Sequence, residues 1–123
     1  MSEYSSGACN IGPAEIKRRK QSAYLGGALY LIVAIFLIAS DASRATRLWV
    51  FLPATLFAVG YIQSKRKFCV AYGFLGIFNF EKIGSTTKIK VNQDLKADRK
   101  YAIKLTVQAF LLAAVLTALI AII

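Results

Sequence analysis

Three long stretches of the chain carry no charged residue, and lysine or arginine lies near at least one end of each. They are residues 23–40, 48–63 and 105–123. As helices, the first two would rise about 27 Å and about 24 Å, close to the roughly 30 Å hydrocarbon core of a bilayer. We therefore predict three transmembrane helices, the first two joined into a hairpin by the short polar connection 41–47.

A shorter apolar run, residues 68–80, follows three consecutive positive charges at 65–67. As a helix this run would measure about 20 Å, which is too short to cross a bilayer. A longer span would draw the three charges inward at roughly 2.5–3.5 kcal/mol each. We expect residues 64–80 to form a basic turn and an interfacial segment against the end of the hairpin.

Other elements have weaker sequence signals. Pro13 suits the first position of a helix, and Glu15 would favour the positive end of that helix's dipole. Residues 87–91 alternate like a strand, but no partner strand is evident, so we predict an extended linker there. Asp94 or Asp98 is expected to cap the third helix.

The predicted fold is an all-α integral membrane protein with a helical hairpin, an interfacial segment and a third C-terminal transmembrane helix. Residues 1–11 contain no basic region followed by an apolar core, so we expect no cleavable signal peptide there. The predicted segments are an N-terminal segment 1–22, the hairpin 23–63, the basic turn and interfacial segment 64–80, a basic linker 81–104 and the C-terminal helix 105–123.

The charge balance fits this picture. The chain of 123 residues is 57% hydrophobic and 18% charged, with a net charge of +10. A basic surface can bind nucleic acid, but here the charges flank the apolar stretches, as the positive-inside rule describes. We therefore expect the lipid bilayer as a partner and no nucleic acid.

The positions of lysine and arginine also predict the topology. Four lie at 17–20, two between the first two spans and ten within 64–104. The first and third groups must share a side, because two helices separate them. We expect the N-terminus in the cytoplasm and the C-terminus outside.

Several of these side chains would hold the protein at the lipid headgroups. Arg47 and Gln63 flank the short second span and are expected at the two interfaces, with Arg47 snorkelling. The predicted lipid-headgroup anchors are Lys17, Arg18, Arg19, Lys20, Lys65, Arg66 and Lys67.

Small residues recur every fourth position along the third span: Ala109, Ala113, Thr117 and Ala121. Such a ridge lets helices pack closely. It could pack onto the chain's own hairpin or onto another subunit of a homo-oligomer or larger membrane complex.

The candidate chemistry is limited to Cys9 and Cys69, because the chain contains no histidine and no other cysteine. Two thiols cannot complete a four-ligand zinc site in one chain, and we expect no cofactor or metal. Both candidate thiols have positive neighbours in sequence, and a nearby cation favours the reactive thiolate. Alternatively, Cys69 is a small packing residue and Cys9 has no role.

The chain is similar to YgaP-like proteins, a family with a small two-helix bacterial inner-membrane domain that is often fused to a rhodanese sulfurtransferase. The similarity begins with Asn10-Ile11-Gly12, the basic turn Lys17-Arg18-Arg19 and Gly26-Gly27, and ends with Phe68-Cys69-Val70-Ala71-Tyr72 and Leu75-Gly76. The matching positions are Asn10, Gly12, Arg18 or Arg19, Gly26 or Gly27, Cys69, Tyr72, Leu75 and Gly76.

This resemblance covers about residues 9–78. It implies a hairpin in the bacterial inner (plasma) membrane and a connection to thiol or sulfur chemistry. Val70 stands where the family usually has proline, and the chain has no rhodanese domain. The third helix of this chain has no counterpart in the family pattern. No sulfur-transfer active site therefore follows from the resemblance.

Three functions remain open, of which the least favoured is a basic cytoplasmic face, residues 82–104, that docks an anionic lipid or a nucleic acid. No Asp, Glu, Lys or Arg lies in the centre of a predicted span, which argues against a pump or carrier. We expect a small non-enzymatic accessory or structural subunit that packs in the bilayer with itself or a larger complex. The alternative is a membrane thiol protein that handles sulfur, a disulfide or a soft metal through Cys69, with or without Cys9.

Overall fold

The computed structural model of the protein describes residues 4–81 and 83–123. Residues 1–3 of the predicted N-terminal segment and Lys82 of the predicted basic linker lie outside the described residues. Helices dominate the described part. The elements are α1 (Pro13–Ala39), α2 (Arg44–Arg47), a 3-10 turn (Leu48–Val50), α3 (Phe51–Arg66), α4 (Val70–Leu75), β1 (Ile77–Phe78), β2 (Thr87–Lys88) and α5 (Asn92–Ile122).

Three helical stretches are long and apolar enough to cross a membrane: Pro13–Ala39, Arg44–Arg66 and Asn92–Ile122. The middle one joins α2, the 3-10 turn and α3 without a break. Large apolar side chains such as Ile35, Phe36 and Leu111 point away from the bundle. Small ones, including Ala58 and Ala113, fill the space between helices. Helices that face lipid commonly show this arrangement.

Helix α1 begins ten residues before its apolar part. Gly12 caps it and Pro13 is its first residue, as predicted, because proline lacks the N–H that this position leaves unpaired. The helix then continues through the basic residues 17–20 into the apolar stretch. The two helices of the hairpin approach closely at Gly26, where a Cβ would lie 2.8 Å from the Cα of Phe57.

The apolar run 68–80 is not one helix. Helix α4 has only six residues and ends at Gly76, which has a left-handed φ of 75°. Glycine adopts this conformation without a steric penalty. Strand β1 follows at once and pairs antiparallel with β2, Ile77 with Lys88 and Phe78 with Thr87. The expectation that residues 87–91 lack a partner strand is therefore wrong, and a two-stranded sheet accompanies the helices.

Helix α5 also begins earlier than its apolar part. Val91 occupies its cap position, so neither Asp94 nor Asp98 caps it, contrary to the prediction. Asp94 lies in the first turn, and Asp98 is buried on the face turned toward the rest of the protein. The basic residues between 96 and 104, assigned to the basic linker 81–104, therefore lie on the first turns of α5.

Helix α3 lies between α1 and α5 and contacts both. The start of α1, the end of α3 and the start of α5 meet at one end of the bundle, which we call the basic end because residues 17–20 and 65–67 lie there. Gln63 is buried at this end, and its Oε1 accepts a hydrogen bond from the Val70 N–H at 2.8 Å.

Arg47 lies at the opposite end and does not snorkel toward a headgroup. It is buried, and its guanidinium donates hydrogen bonds to the carbonyl oxygens of Ala42, at 3.1 Å, and Ile120, at 3.2 Å. The last carbonyls of a helix lack partners within the helix. Arg47 thus binds a carbonyl in the last turn of α5 and ties it to the loop that connects α1 and α2.

Candidate functional site

The N-terminal segment folds back across the basic end. The Asn10 N–H donates to the Lys67 carbonyl at 3.2 Å, and the Gly12 N–H donates to the Asn79 carbonyl at 2.8 Å. Asn79 returns a hydrogen bond from its own N–H to the Asn10 carbonyl at 2.9 Å. The segment is therefore held between the turn after α3 and the strand β1.

The side chain of Asn10 binds the backbone of Cys69 twice. The Cys69 N–H donates to Asn10 Oδ1 at 2.7 Å, and Asn10 Nδ2 donates to the Cys69 carbonyl at 3.1 Å. Both residues are buried. A buried amide that satisfies both groups of one peptide residue fixes that residue's position, because a displaced backbone would leave polar groups without partners.

Glu15 lies at the centre of this site and is fully buried. Its Oε1 accepts a hydrogen bond from Arg19 Nη1 at 2.6 Å in an ion pair across one turn of α1. Its Oε2 accepts one from the hydroxyl of Tyr72 and another from Asn79 Nδ2 at 3.2 Å. Arg19 thus balances the charge of this buried carboxylate, and Tyr72 and Asn79 supply its other hydrogen bonds.

The ionisation states follow from these contacts. Burial alone would raise the pKa of Glu15, but the hydrogen bonds from Tyr72 and Asn79 and the charge of Arg19 hold it below its ordinary value. Burial and the neighbouring Glu15 raise the pKa of Tyr72 to about 12. Near neutral pH, Glu15 is therefore a carboxylate and Tyr72 a neutral hydroxyl donor.

Arg19 connects this carboxylate to the thiol of Cys69. Its Nη2 donates to Cys69 Sγ at 3.0 Å, and its guanidinium lies 5.7 Å from the centre of the Tyr72 ring. The Arg19 side chain is 14% exposed, so it is not simply a lipid-headgroup anchor as predicted. Among the described residues its Nε has no hydrogen-bond partner.

The thiol of Cys69 borders an open cleft of about 310 Å³ between α1, α3 and α4. Cys69 itself is only 3% exposed, so reagents would reach it through this cleft. Polar groups on the walls come from Arg18, Arg19, Ser22, Gln63 and Tyr72. The cleft is large enough to admit a small molecule next to Sγ.

A second buried carboxylate, Asp98, holds the first described residues of the chain. Its oxygens accept hydrogen bonds from the Tyr4 hydroxyl at 2.8 Å and the Gly7 N–H at 2.7 Å. Burial raises the pKa of Asp98, and nearby Asp94 adds to the rise, although the two hydrogen bonds oppose it. Burial and Asp98 also raise the pKa of Tyr4, which keeps its hydroxyl protonated as a donor.

The two candidate thiols have different surroundings. Cys9 is half-buried, and its Sγ lies 3.7 Å from the Ile11 carbonyl oxygen, whereas Cys69 is buried beside Arg19. Neither forms a disulfide in the part of the chain that the structure describes. Within those same residues, no group of three or more His, Cys, Asp or Glu side chains is placed to hold a metal ion.

The other predicted site residues are also placed. The remaining headgroup anchors have exposed side chains at the basic end: Lys17, Arg18, Lys20, Lys65, Arg66 and Lys67. In the ridge, Ala109, Ala113 and Thr117 are buried and Ala121 is half-buried. Ala109 and Ala113 pack against Ala54 and Ala58 of α3, within the same chain.

Sequence reasoning missed the polar residues that organise the thiol. Glu15 appeared only as a helix-dipole residue, and Asn79 was counted within an apolar run. One available signal was the spacing of Glu15 and Arg19, because an acid and a base four residues apart face each other on a helix. Asn10, Arg19, Cys69 and Tyr72, four of the positions that carry the resemblance to YgaP-like proteins, meet at this site.

No family model matches the chain, and no curated protein or solved structure matches it. The resemblance to YgaP-like proteins therefore remains a prediction.

Proposed function

We propose that this protein is a small multi-pass membrane protein whose Cys69 is a reactive thiol that exchanges sulfur–sulfur bonds with a small-molecule disulfide or persulfide. The observation that supports this proposal above all others is the 3.0 Å contact between Arg19 Nη2 and Cys69 Sγ at the edge of an open cleft. The role is stoichiometric: the thiol accepts a sulfur substituent and passes it on.

Sγ lies beside a cationic hydrogen-bond donor. A guanidinium makes a charge-assisted hydrogen bond that is stronger to a thiolate than to a thiol. Arg19 cannot easily turn away, because Glu15 holds its other terminal nitrogen at 2.6 Å. A cysteine that served only to fill space would require neither the cation nor the cleft.

The proposed step is a balanced exchange. The Cys69 thiolate attacks one sulfur of a small disulfide, a Cys69–sulfur bond forms, the original sulfur–sulfur bond breaks, and the second sulfur leaves as a thiolate. With a persulfide as donor, the terminal sulfur moves to Cys69 and the donor leaves as a thiolate. Neither step requires an additional oxidant or reductant.

The proposed location is a bacterial inner membrane, with the basic end and the N-terminus in the cytoplasm and the C-terminus outside. The distribution of lysine and arginine supports this orientation, and the resemblance to YgaP-like proteins supports the membrane. The cleft beside Cys69 would then open toward the cytoplasmic pool of small thiols.

An accessory or structural role remains the alternative proposal, but the ridge that motivated it now supports it less. Ala109 and Ala113 are used in packing against the chain's own α3. An accessory subunit would need another contact surface, such as the outward faces of α1 and α5.

The test uses single-cysteine proteins, Cys9→Ala for Cys69 and Cys69→Ala for Cys9, in sealed vesicles of both orientations. We expect Cys69 to react with a membrane-impermeant maleimide only when the cytoplasmic face is accessible, and at least about tenfold faster than a model thiol. Oxidised glutathione should give a mixed disulfide at Cys69 and release one thiol per protein, as measured by intact mass.

A Cys69 that reacts only after denaturation would overturn the thiol proposal and identify the residue as packing. Fast labelling from the other face would refute the orientation but leave the reactive thiol standing. Cys9 serves as the control for accessibility, because it lies at the same end of the bundle, whereas the Arg19 guanidinium donates to Cys69 Sγ.

A further inference from the structure

A second cleft lies at the basic end, on a different surface from the thiol. It has a volume of about 540 Å³ and is lined by the first turns of α1 and the end of α3. Lys20, Lys65 and Lys67 line it together with the aromatic rings of Tyr24 and Tyr61. Cys69 does not contribute to its walls.

An apolar groove of about 500 Å³ continues from this cleft along α1. The cleft and the groove share Ala23 and Tyr24 as lining residues, so the two lie next to each other. The small residues Gly27 and Ala28 line the groove on α1, and Phe57 and Leu116 line its other sides. The groove lies within the apolar stretch 23–40, at the depth of the lipid chains in the proposed orientation.

The lysines of the cleft are arranged by the fold. Lys65 Nζ donates to the Tyr61 hydroxyl at 3.2 Å and lies 5.5 Å from the centre of that ring. Lys67 ends α3 with a left-handed φ of 55°, a conformation that costs a non-glycine residue energy. Glycine would adopt this conformation at a lower energetic cost, but the residue at this position is a lysine that borders the cleft.

Within the part of the chain that the structure describes, none of these three lysines forms a salt bridge. In the described ranges 4–81 and 83–123, the one salt bridge joins Arg19 to Glu15 and involves none of the three. Three positive charges around one cleft, with two aromatic rings beside them, are suited to an anionic headgroup between membrane helices.

We propose that the cleft and groove together bind one anionic phospholipid. Its phosphate lies among Lys20, Lys65 and Lys67, and one acyl chain follows the groove past Gly27 and Ala28. Charge complementarity selects an anionic headgroup, and the adjoining apolar groove selects a lipid over a free phosphate. This inference does not depend on the reactivity of Cys69, because that thiol lines neither surface.

The test measures lipid binding to the purified full chain in detergent by native mass spectrometry. Phosphatidylglycerol and phosphatidylcholine are titrated separately. We expect the anionic lipid to bind at least about tenfold more tightly, since each lysine near the phosphate contributes several-fold. The triple variant K20Q/K65Q/K67Q should abolish this preference.

Two variants control for charge and folding. K88Q/K90Q/K96Q removes the same number of exposed lysines outside the cleft and should keep the preference. K20R/K65R/K67R keeps the charges and should retain most of the binding, which separates loss of charge from loss of fold. Equal affinity for both lipids, or a K20Q/K65Q/K67Q variant that binds like wild type, would refute the proposal.

The groove is tested separately. Ala28→Phe fills it, and Ala114→Phe places the same ring at another exposed helical position. We expect only Ala28→Phe to weaken the binding of the anionic lipid, by roughly tenfold. Binding of inorganic phosphate as tight as the lipid, with no effect of Ala28→Phe, would show a phosphate site instead. A lipid-free dimer disrupted by Ala28→Phe would show that a second copy of the chain occupies the groove. The phosphate result and the dimer result would each overturn the proposal.

Discussion

Gly60 of α3 lies against the backbone of Ala23 in α1, and a Cβ on Gly60 would come within 2.7 Å of the Ala23 nitrogen. The same Cβ would lie 2.8 Å from the carbonyl oxygen of Arg19. The two helices therefore touch backbone to backbone one turn from Arg19. Since α3 ends only three residues before Cys69, this contact helps to set the distance between the guanidinium and the thiol.

The first prediction concerns a second close contact between α1 and α3, at Gly26 and Phe57. Gly26→Ala should destabilise the protein by about 1–3 kcal/mol, because its Cβ would press on the backbone of Phe57 and the helices must separate. Gly27→Ala is the matched control, since its Cβ would meet the Phe57 ring at an ordinary 3.4 Å. Thermal unfolding in detergent compares them, and equal melting temperatures would contradict the packing argument.

The second prediction concerns Arg19. Arg19→Lys keeps the charge but replaces a planar fork that reaches two acceptors with a single ammonium. We expect the alkylation rate of Cys69 to fall about tenfold at neutral pH, because the thiolate loses its donor. Arg18→Lys, an exposed neighbour on the same helix, should leave the rate unchanged. Equal rates in the two variants would mean that Arg19 does not activate the thiol.

The third prediction concerns the pH dependence from Glu15. Its pKa in the folded protein lies below the ordinary 4.5, so its ionised form stabilises the fold. This contribution is complete above pH 4.5 and is lost as the pH falls through the lowered pKa. Glu15→Gln should cost about 3 kcal/mol at neutral pH, because it leaves the buried Arg19 without its counter-charge.

Unfolding midpoints across an acidic pH series check this. The difference between wild type and Glu15→Gln should shrink as the pH falls below 4.5. A difference that stays constant over the series would show that Glu15 does not titrate with folding. Glu81→Gln is the control, since Glu81 is exposed.

The fourth prediction concerns Asp98, for which the sign is opposite. Its pKa is raised above 3.8, so the folded state takes up a proton more readily than the unfolded state. The cost of burying its charge is present at neutral pH and is relieved as the pH falls through the raised pKa. Asp98→Asn removes that charge, can still accept from the Gly7 N–H, and can donate to the Tyr4 hydroxyl.

We therefore expect Asp98→Asn to melt at or above the wild-type temperature at neutral pH. Asp98→Ala should lose about 2 kcal/mol, because the Gly7 N–H and Tyr4 hydroxyl lose their acceptor. Calorimetry or circular dichroism of both variants gives the comparison. A strongly destabilised Asp98→Asn would show that the carboxylate charge itself is needed.

The fifth prediction concerns Arg47. Arg47→Ala should destabilise the protein by about 2 kcal/mol, since the carbonyls of Ala42 and Ile120 lose a charged donor. Arg44→Ala, one turn earlier and exposed, should have little effect. Similar melting temperatures for the two variants would mean that Arg47 contributes no more than a surface charge.

Residue patterns could predict the apolar centres of the three long helices, because uncharged stretches of that length have few other solutions. They also predicted the start of α1 at Pro13, but they placed the cap of α5 at Asp94 or Asp98, whereas that helix begins at Asn92. Polar residues do not end a helix, so α1 continues through residues 17–20 and α5 through residues 92–104. The pairing of β1 with β2 was missed because each strand has only two residues and its partner is distant in sequence.

Sequence reasoning could predict only part of the thiol site. Cys69 stands out as one of two cysteines, and basic residues near it in sequence suggested a cation. The cation that contacts it is Arg19, 50 residues away, and among four adjacent positive charges only the four-residue spacing from Glu15 distinguishes it. That choice depends on Glu15, whose burial only the folded arrangement reveals.

The contact between Arg19 and Cys69 has a consequence for how the protein is made. These two residues lie on either side of a helical hairpin, so they meet only when α3 has packed against α1 and returned the chain to the end where it started. In the proposed membrane orientation, a chain whose second span failed to cross would leave them roughly 30 Å apart, on opposite faces of the bilayer. The contact with the thiol would then form only in correctly threaded molecules, whereas the Glu15–Arg19 pair, which lies within one helix, would form in either case.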